Sequence, residues 1–181
     1  MTWLLVEDDN DIRNVVAVMM SVWGEKPLPF PDGGAAWQWL DKVAEGSVAS
    51  DLPELALMDI RMPGYTGDKV AARIRQIPAI KDIPIILMTA FSLTDSEIKE
   101  MMEQNGIDYL INKPLPDMEV FRSTLYQVRD DRKAKNAARQ TQNAQPAPAT
   151  TEPAPATTEP APATTEPTPA QSVAAPSEKT E

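Results

Sequence analysis

The chain has 181 residues and a formal charge of −10, from 27 acidic and 17 basic side chains, with neither cysteine nor histidine. Such acidity argues against nonspecific nucleic-acid binding, which relies on Lys and Arg neutralising phosphates. The missing residue types exclude disulfides, thiolate or imidazole metal ligands, a histidine general base and a histidine phosphodonor within the chain.

Residues 2–6 form a short apolar run suited to a strand buried on both faces. Ile12, Val15, Val16, Met19 and Trp23 then recur at helical spacing, with Asp9 or Asn10 available as N-cap. The segment 26–31 reads Lys-Pro-Leu-Pro-Phe-Pro. Its prolines are two apart, so one side lacks N–H groups while Leu28 and Phe30 can pair on the other. This proline comb suits only an edge strand, where it also blocks edge-to-edge association; the alternative is a polyproline-like loop. Ala36, Trp37, Leu40, Val43 and Ala44 mark a helix ending near Gly46. Trp37 shares a face with Leu40 and is expected in the core, with Trp39 exposed.

A strand at 55–59 precedes a helix carrying Val70, Ala71, Ile74 and Ile77, then a strand at 83–89. Thr94-Asp95-Ser96-Glu97 has capping-box spacing before Ile98, Met101 and Met102, and Gly106 stops that helix. A fifth strand is expected at 108–111, and Met118, Phe121, Leu125 and Val128 define the last helix. Strands alternating with helices imply parallel βαβ units in an α/β doubly wound sheet; order 2-1-3-4-5 makes the proline-rich second strand an edge.

Composition changes near residue 141. All four Trp and all nine Met lie before it, whereas Pro-Ala-Pro-Ala-Thr-Thr-Glu repeats three times across 146–166. The period is seven, but there is no apolar seam and proline interrupts every turn, so a coiled coil is excluded. The reading divides the chain into a domain at 1–130, a helix extension and linker at 131–145, and an extended, disordered tail at 146–181. The basic run from Arg129 to Arg139, interleaved with Asp130 and Asp131, fits a solvated helix extension better than a nucleic-acid site. No apolar stretch reaches the roughly 18 residues that span a bilayer, and Met1-Thr2-Trp3 leads directly into a strand, so a cytoplasmic protein is expected.

Chemistry-bearing residues fall at strand ends. Glu7-Asp8-Asp9 follows Leu4-Leu5-Val6, Asp59 closes Leu55-Ala56-Leu57-Met58, Thr89 follows Ile85-Ile86-Leu87-Met88, and Lys113-Pro114 follows Tyr109-Leu110-Ile111. In an open parallel sheet such positions converge at the carboxyl edge, where these folds bind ligands. Each residue alone has an ordinary explanation as cap, β-former or surface lysine. Their joint order makes a site.

On these residues, residues 2–130 resemble the receiver domain of bacterial two-component response regulators, a flavodoxin-like fold. The match rests on Glu7-Asp8, Asp59 with Met62-Pro63 and Gly67, Thr89-Ala90, and Lys113-Pro114. The resemblance implies that Asp59 accepts a phosphoryl group from a sensor histidine kinase or histidine phosphotransfer protein. It implies Mg²⁺ held by Glu7, Asp8, Asp59 and the backbone carbonyl of Arg61, with Thr89 and Lys113 contacting phosphoryl oxygens. It also implies a cis bond before Pro114 and an output surface around the fourth helix, fifth strand and fifth helix. Self-phosphorylation and autodephosphorylation would be the only catalysis, and no output domain or nucleic-acid partner is expected.

Elementary electrostatics agrees. Two carboxylates ~4 Å apart repel by about 4 kcal/mol at an effective dielectric near 20, and a hard dication with oxygen ligands removes that cost. One position departs from the family. The place three residues before the lysine often holds Tyr or Phe; here it is Leu110, and the neighbouring Tyr109 should face the other side of the sheet. Arg61 and Phe91 occupy places where the family's variable residues influence dephosphorylation. A phosphorylation-independent interaction module is therefore the alternative function. An aspartyl-phosphate hydrolase of the haloacid-dehalogenase type is disfavoured, because Arg61 stands where its second Asp is generally found.

Overall fold

The computed structural model describes residues 1–143. Five strands alternate with five helices: β1 Thr2–Val6, α1 Asn10–Val22, β2 Lys26–Phe30, α2 Gly33–Ala44, β3 Leu55–Asp59, α3 Gly67–Gln76, β4 Ile85–Thr89, α4 Asp95–Gln104, β5 Tyr109–Asn112 and α5 Met118–Asn143. All pairings are parallel, in the order β2-β1-β3-β4-β5. The doubly wound sheet and its order are as the sequence reading expects.

The three central strands are buried along their whole length, which is why they read as continuous apolar runs rather than alternating ones. Their side chains alternate between two cores. Leu4, Val6, Ala56, Met58, Ile85 and Leu87 meet α2 and α3 through Leu40, Val70 and Ile74. Trp3, Leu5, Leu55, Leu57, Ile86 and Met88 meet α1 and α5 through Val16, Met20, Phe121 and Leu125. Burying an aliphatic side chain of this kind stabilises the fold by about 1.5–3 kcal/mol.

The proline-rich segment is a strand, not a loop. Lys26 N donates to Met1 O and Phe30 O accepts from Glu7 N, so residues 26, 28 and 30 face β1 and the prolines face outward. Of the two candidate caps for α1, Asp9 serves, its carboxylate accepting from Asp11 N and Ile12 N. The capping box at Thr94 and Glu97 is formed. β4 starts at Ile85 rather than 83, since Pro84 has no N–H to donate. β5 extends to Asn112, which pairs with Thr89. Helix α2 begins at Gly33, three residues ahead of its apolar stripe, where Asp32 caps it.

Two expectations about tryptophans need correction. Trp37 is half-buried rather than fully in the core, stacked on Tyr65 with centroids 4.0 Å apart. Trp39 is also half-buried, against Phe30 of β2. Trp39 thus lies over the edge strand and Trp37 beside the β3–α3 loop, each at the margin of the core. The last helix runs 26 residues, through the extension anticipated at 131 onward. Arg132 and Lys133 hold that extension by pairing with Asp108 and Glu54, and Asn136 donates to Asp82 O. The repeats at 146–166 lie outside the described residues.

Candidate functional site

Parallel strands bring their last residues to one edge, and four of the predicted side chains converge there. Glu7 is completely buried beyond the end of β1; Asp59, which closes β3, is also buried, while Asp8 is exposed. Each of the three offers a carboxylate oxygen within 4.8 Å of the others. Lys113, just past β5, reaches across the sheet edge. Its Nζ donates to both Glu7 carboxylate oxygens at 2.9 Å and lies 3.2 Å from Asp59 Oδ2. The Lys113–Pro114 peptide bond is cis, as the family resemblance implies.

Local packing fixes the acid loops. Gly67 opens α3 so close to β3 that a Cβ there would sit 2.2 Å from Asp59 O. Only a residue without a side chain allows that approach. Arg13 of α1 donates to Glu7 O at 2.6 Å and is also bonded to Asn10 Oδ1, so its guanidinium braces the acidic loop through the backbone. The sequence reading missed Arg13. A signal existed: a cation in a first helical turn opposes the helix dipole and needs a local anionic or carbonyl partner.

Charge at this edge is unbalanced, with three carboxylates facing one ammonium. Burial pushes the Glu7 carboxyl above the usual range; Lys113 opposes this, while Asp59 adds to it. Burial would depress the Lys113 ammonium, but Glu7 and Asp59 outweigh it and hold its pKa above the ordinary lysine value. Glu7 retains its proton mainly because it is buried, whereas Lys113 retains its own because carboxylates face it, and only the second reflects the surplus of negative charge. An all-oxygen donor set with such a surplus fits a hard divalent cation, Mg²⁺ in particular, which commonly takes one or two carboxylates and keeps several waters.

Thr89 and Arg61 behave differently. Thr89 is buried at the end of β4, beside the β3 edge, yet its hydroxyl is engaged by the next loop. It accepts from Phe91 N at 3.1 Å and donates to Phe91 O at 3.3 Å. Arg61, two residues past Asp59, carries its side chain away from the acids and stacks its guanidinium 3.9 Å from the Phe91 ring centroid. The geometry therefore joins Glu7, Asp8, Asp59 and Lys113 directly, with Thr89 adjacent and turned toward Phe91.

Comparison with known proteins is consistent with this edge. A family model described as the response regulator receiver domain matches residues 3–125. The phosphate regulon transcriptional regulatory protein PhoB of Pseudomonas aeruginosa is 29% identical over 119 residues, which are 66% of this chain and 48% of PhoB. The chain thus spans about half the length of that curated relative. Among solved structures, Vibrio cholerae chemotaxis protein CheY4 aligns with a TM-score of 0.58 at 24% identity, covering 70% of this chain and 97% of that one. The receiver domain of sensor histidine kinase PA1611 from Pseudomonas aeruginosa aligns at 0.57 and 23% identity, covering 71% and 97%; its structure has a magnesium ion coordinated in the active-site cleft. No helix among the described residues is long and apolar enough to cross a membrane.

Proposed function

This chain belongs to the response regulator receiver family, and from that membership we propose that it is a phosphoacceptor whose nucleophile is Asp59. The observation that carries the reading is the convergence of Glu7, Asp8 and Asp59 on one point with Lys113 bridging two of them. In the proposed reaction an Asp59 carboxylate oxygen forms a bond to phosphorus as the bond between phosphorus and a donor imidazole nitrogen breaks. The donor is a histidine kinase or histidine phosphotransfer protein, since this chain contains no histidine. Glu7, Asp8, Asp59 and the Arg61 backbone carbonyl would hold Mg²⁺. When bound, the ion offsets charge on the carboxylates and on the phosphoryl oxygens.

Lys113 sits where it can donate to a phosphoryl oxygen once one is attached to Asp59, and Gly67 and Arg13 keep the acids in place. A phosphorylated side chain carries about −1.5 to −2 charge. Charge-assisted bonds from Lys113 and the Thr89 hydroxyl, each worth about 1.5–3 kcal/mol, approach the roughly 5.5 kcal/mol that inverts a two-state surface from 1:99 to 99:1. The output is a switched protein–protein surface, and self-phosphorylation and autodephosphorylation are the only catalysis.

Incubation with Mg²⁺ and acetyl phosphate tests the reading, with intact-mass analysis and hydroxylamine sensitivity as readouts. One phosphoryl group is expected on the native chain and none on Asp59→Asn; equal labelling of both would overturn the assignment. Leu110 in place of an aromatic favours a second reading, a receiver scaffold that works without phosphate. Partner affinity unaffected by beryllofluoride would favour that alternative.

A further inference from the structure

Three observations meet at the β4–α4 loop. The Thr89 hydroxyl is occupied by Phe91, accepting from its N–H and donating to its carbonyl. The Phe91 ring, 47% exposed, is held under the Arg61 guanidinium. Beside that ring opens a cavity of about 570 Å³ with Leu93, Ile98, Met102 and Leu110 in its walls and Thr89 and Lys113 at its site end. Helix α4, which forms one wall, buries none of its residues. Leu110 reaches this side of the sheet but is half-buried and does not fill the space.

We propose that Phe91 is the ring through which this chain reads the state of Asp59, leaving the Arg61 stack for the cavity beneath α4 when Thr89 turns to an Asp59-bound phosphoryl group. This rests on the phosphoacceptor reading. A threonine hydroxyl has one proton, so it cannot bond a phosphoryl oxygen while donating to Phe91 O. Turning it gives up the bond donated to Phe91 O, one of the two contacts that tether the loop at residue 91. The same event draws on Arg61, two residues from the acceptor. A cation–π contact at a half-exposed ring is weak, and a phosphoryl group of nearly two negative charges competes for the guanidinium with stronger, charge-assisted bonds. The freed ring is too apolar to favour solvent, and the adjoining cavity has room for it. Its entry would press on Ile98 and Met102, so the exposed face of α4 would shift with it. An aromatic at position 110 would occupy the same space, which is why the two arrangements exclude each other.

Fluorine NMR of the full chain labelled with 4-fluorophenylalanine tests this directly. The three phenylalanines give three signals, and the one lost in Phe91→Leu belongs to Phe91. Adding Mg²⁺ and beryllofluoride should move that signal and reduce its H₂O/D₂O solvent isotope shift at least twofold, with Phe30 and Phe121 nearly unchanged. In Leu110→Tyr, where the cavity is filled by a ring that takes no fluorine label, the Phe91 signal should stay at its solvent-exposed position with beryllofluoride bound. Bound beryllofluoride has its own fluorine signals. If these are present and the Phe91 signal keeps its position and solvent isotope shift, the proposal is overturned while the phosphoacceptor reading stands. If Phe91 moves equally in Leu110→Tyr, the cavity is not its destination and the proposal likewise fails. If no bound beryllofluoride is seen, or it persists in Asp59→Asn, the phosphoacceptor reading fails and takes the proposal with it.

Discussion

Lys113 and Glu7 are separated by 106 positions in the chain, yet the lysine Nζ lies 2.9 Å from each oxygen of the fully buried Glu7 carboxylate. The carboxylate's charge has been taken out of water and depends on this ammonium. Removing one partner of a buried pair typically costs about 3–5 kcal/mol, because the other is left unpaired. Lys113→Met should therefore lower Tm clearly in metal-free buffer at neutral pH. Mg²⁺ should restore much of the loss, since a cation bound only by the folded chain stabilises it by mass action. Thermal melts with EDTA and with Mg²⁺ check this; identical Tm values for parent and variant in EDTA would refute it.

The same burial sets a pH dependence. Glu7 is held above the ordinary carboxylate range chiefly by desolvation, so the folded chain keeps that proton over a window in which the unfolded chain has released it. The window opens near the ordinary glutamate value of about 4.3 and extends upward. Within it the native state binds more protons, and the Glu7 contribution to stability declines as pH rises. Metal binding has the opposite slope, because a cation competes with the proton for the carboxylate. Mg²⁺ affinity, followed by tryptophan fluorescence, should strengthen from pH 5 to pH 7. In Glu7→Gln that pH dependence should shrink. An affinity constant across this range would contradict the assignment of Glu7 as a ligand.

Asp8 separates repulsion from pairing. Its carboxylate is exposed and belongs to the acid cluster, but among the described residues no basic side chain pairs with it. Asp8→Asn removes a like charge without breaking an ion pair. At the screening of an exposed site the relief is on the order of 1 kcal/mol, which for a domain of this size is a Tm increase of about 2–4 °C. That gain is expected in EDTA and should vanish or reverse in Mg²⁺, where the parent gains more from the ion. A variant less stable than the parent in EDTA would show that Asp8 has a structural partner.

Legibility in the sequence followed the range of the interactions. Local devices could be read: the Asp9 cap, the Thr94–Glu97 capping box, the outward comb of Pro27 and Pro29, and apolar runs that stop at Glu7, Asp59 and Thr89. Parallel topology then brings strand ends together, so the convergence of residues 7, 8, 59 and 113 follows from their order. What the sequence did not disclose depends on side-chain direction across the fold. Nothing in the neighbours of Thr89 announces that its hydroxyl bonds Phe91, or that Arg61 leans over that ring. The Trp37–Tyr65 stack joins α2 to the β3–α3 loop, a contact that helical periodicity within α2 cannot express.

The edge strand gives a test independent of the site. In β2, Lys26 and Phe30 turn their backbone groups toward β1, which leaves Pro27 and Pro29 on the free side, where they present carbonyls but no donors. A strand pairing there from another molecule would lack its acceptors' partners at both positions, so the edge is protected by chemistry rather than by cover. Pro27→Val with Pro29→Val restores two donors and raises β-propensity at once. Two consequences should separate. Stability should fall modestly, by about 0.4–1 kcal/mol per site, because the unfolded chain regains freedom that proline denied it. Self-association should rise, seen by multi-angle light scattering as a mass that grows with concentration beyond that of the parent. A double variant whose scattering mass matches the parent across the same concentrations would show that the prolines do not protect the edge, and that its shortness or the flanking charges do.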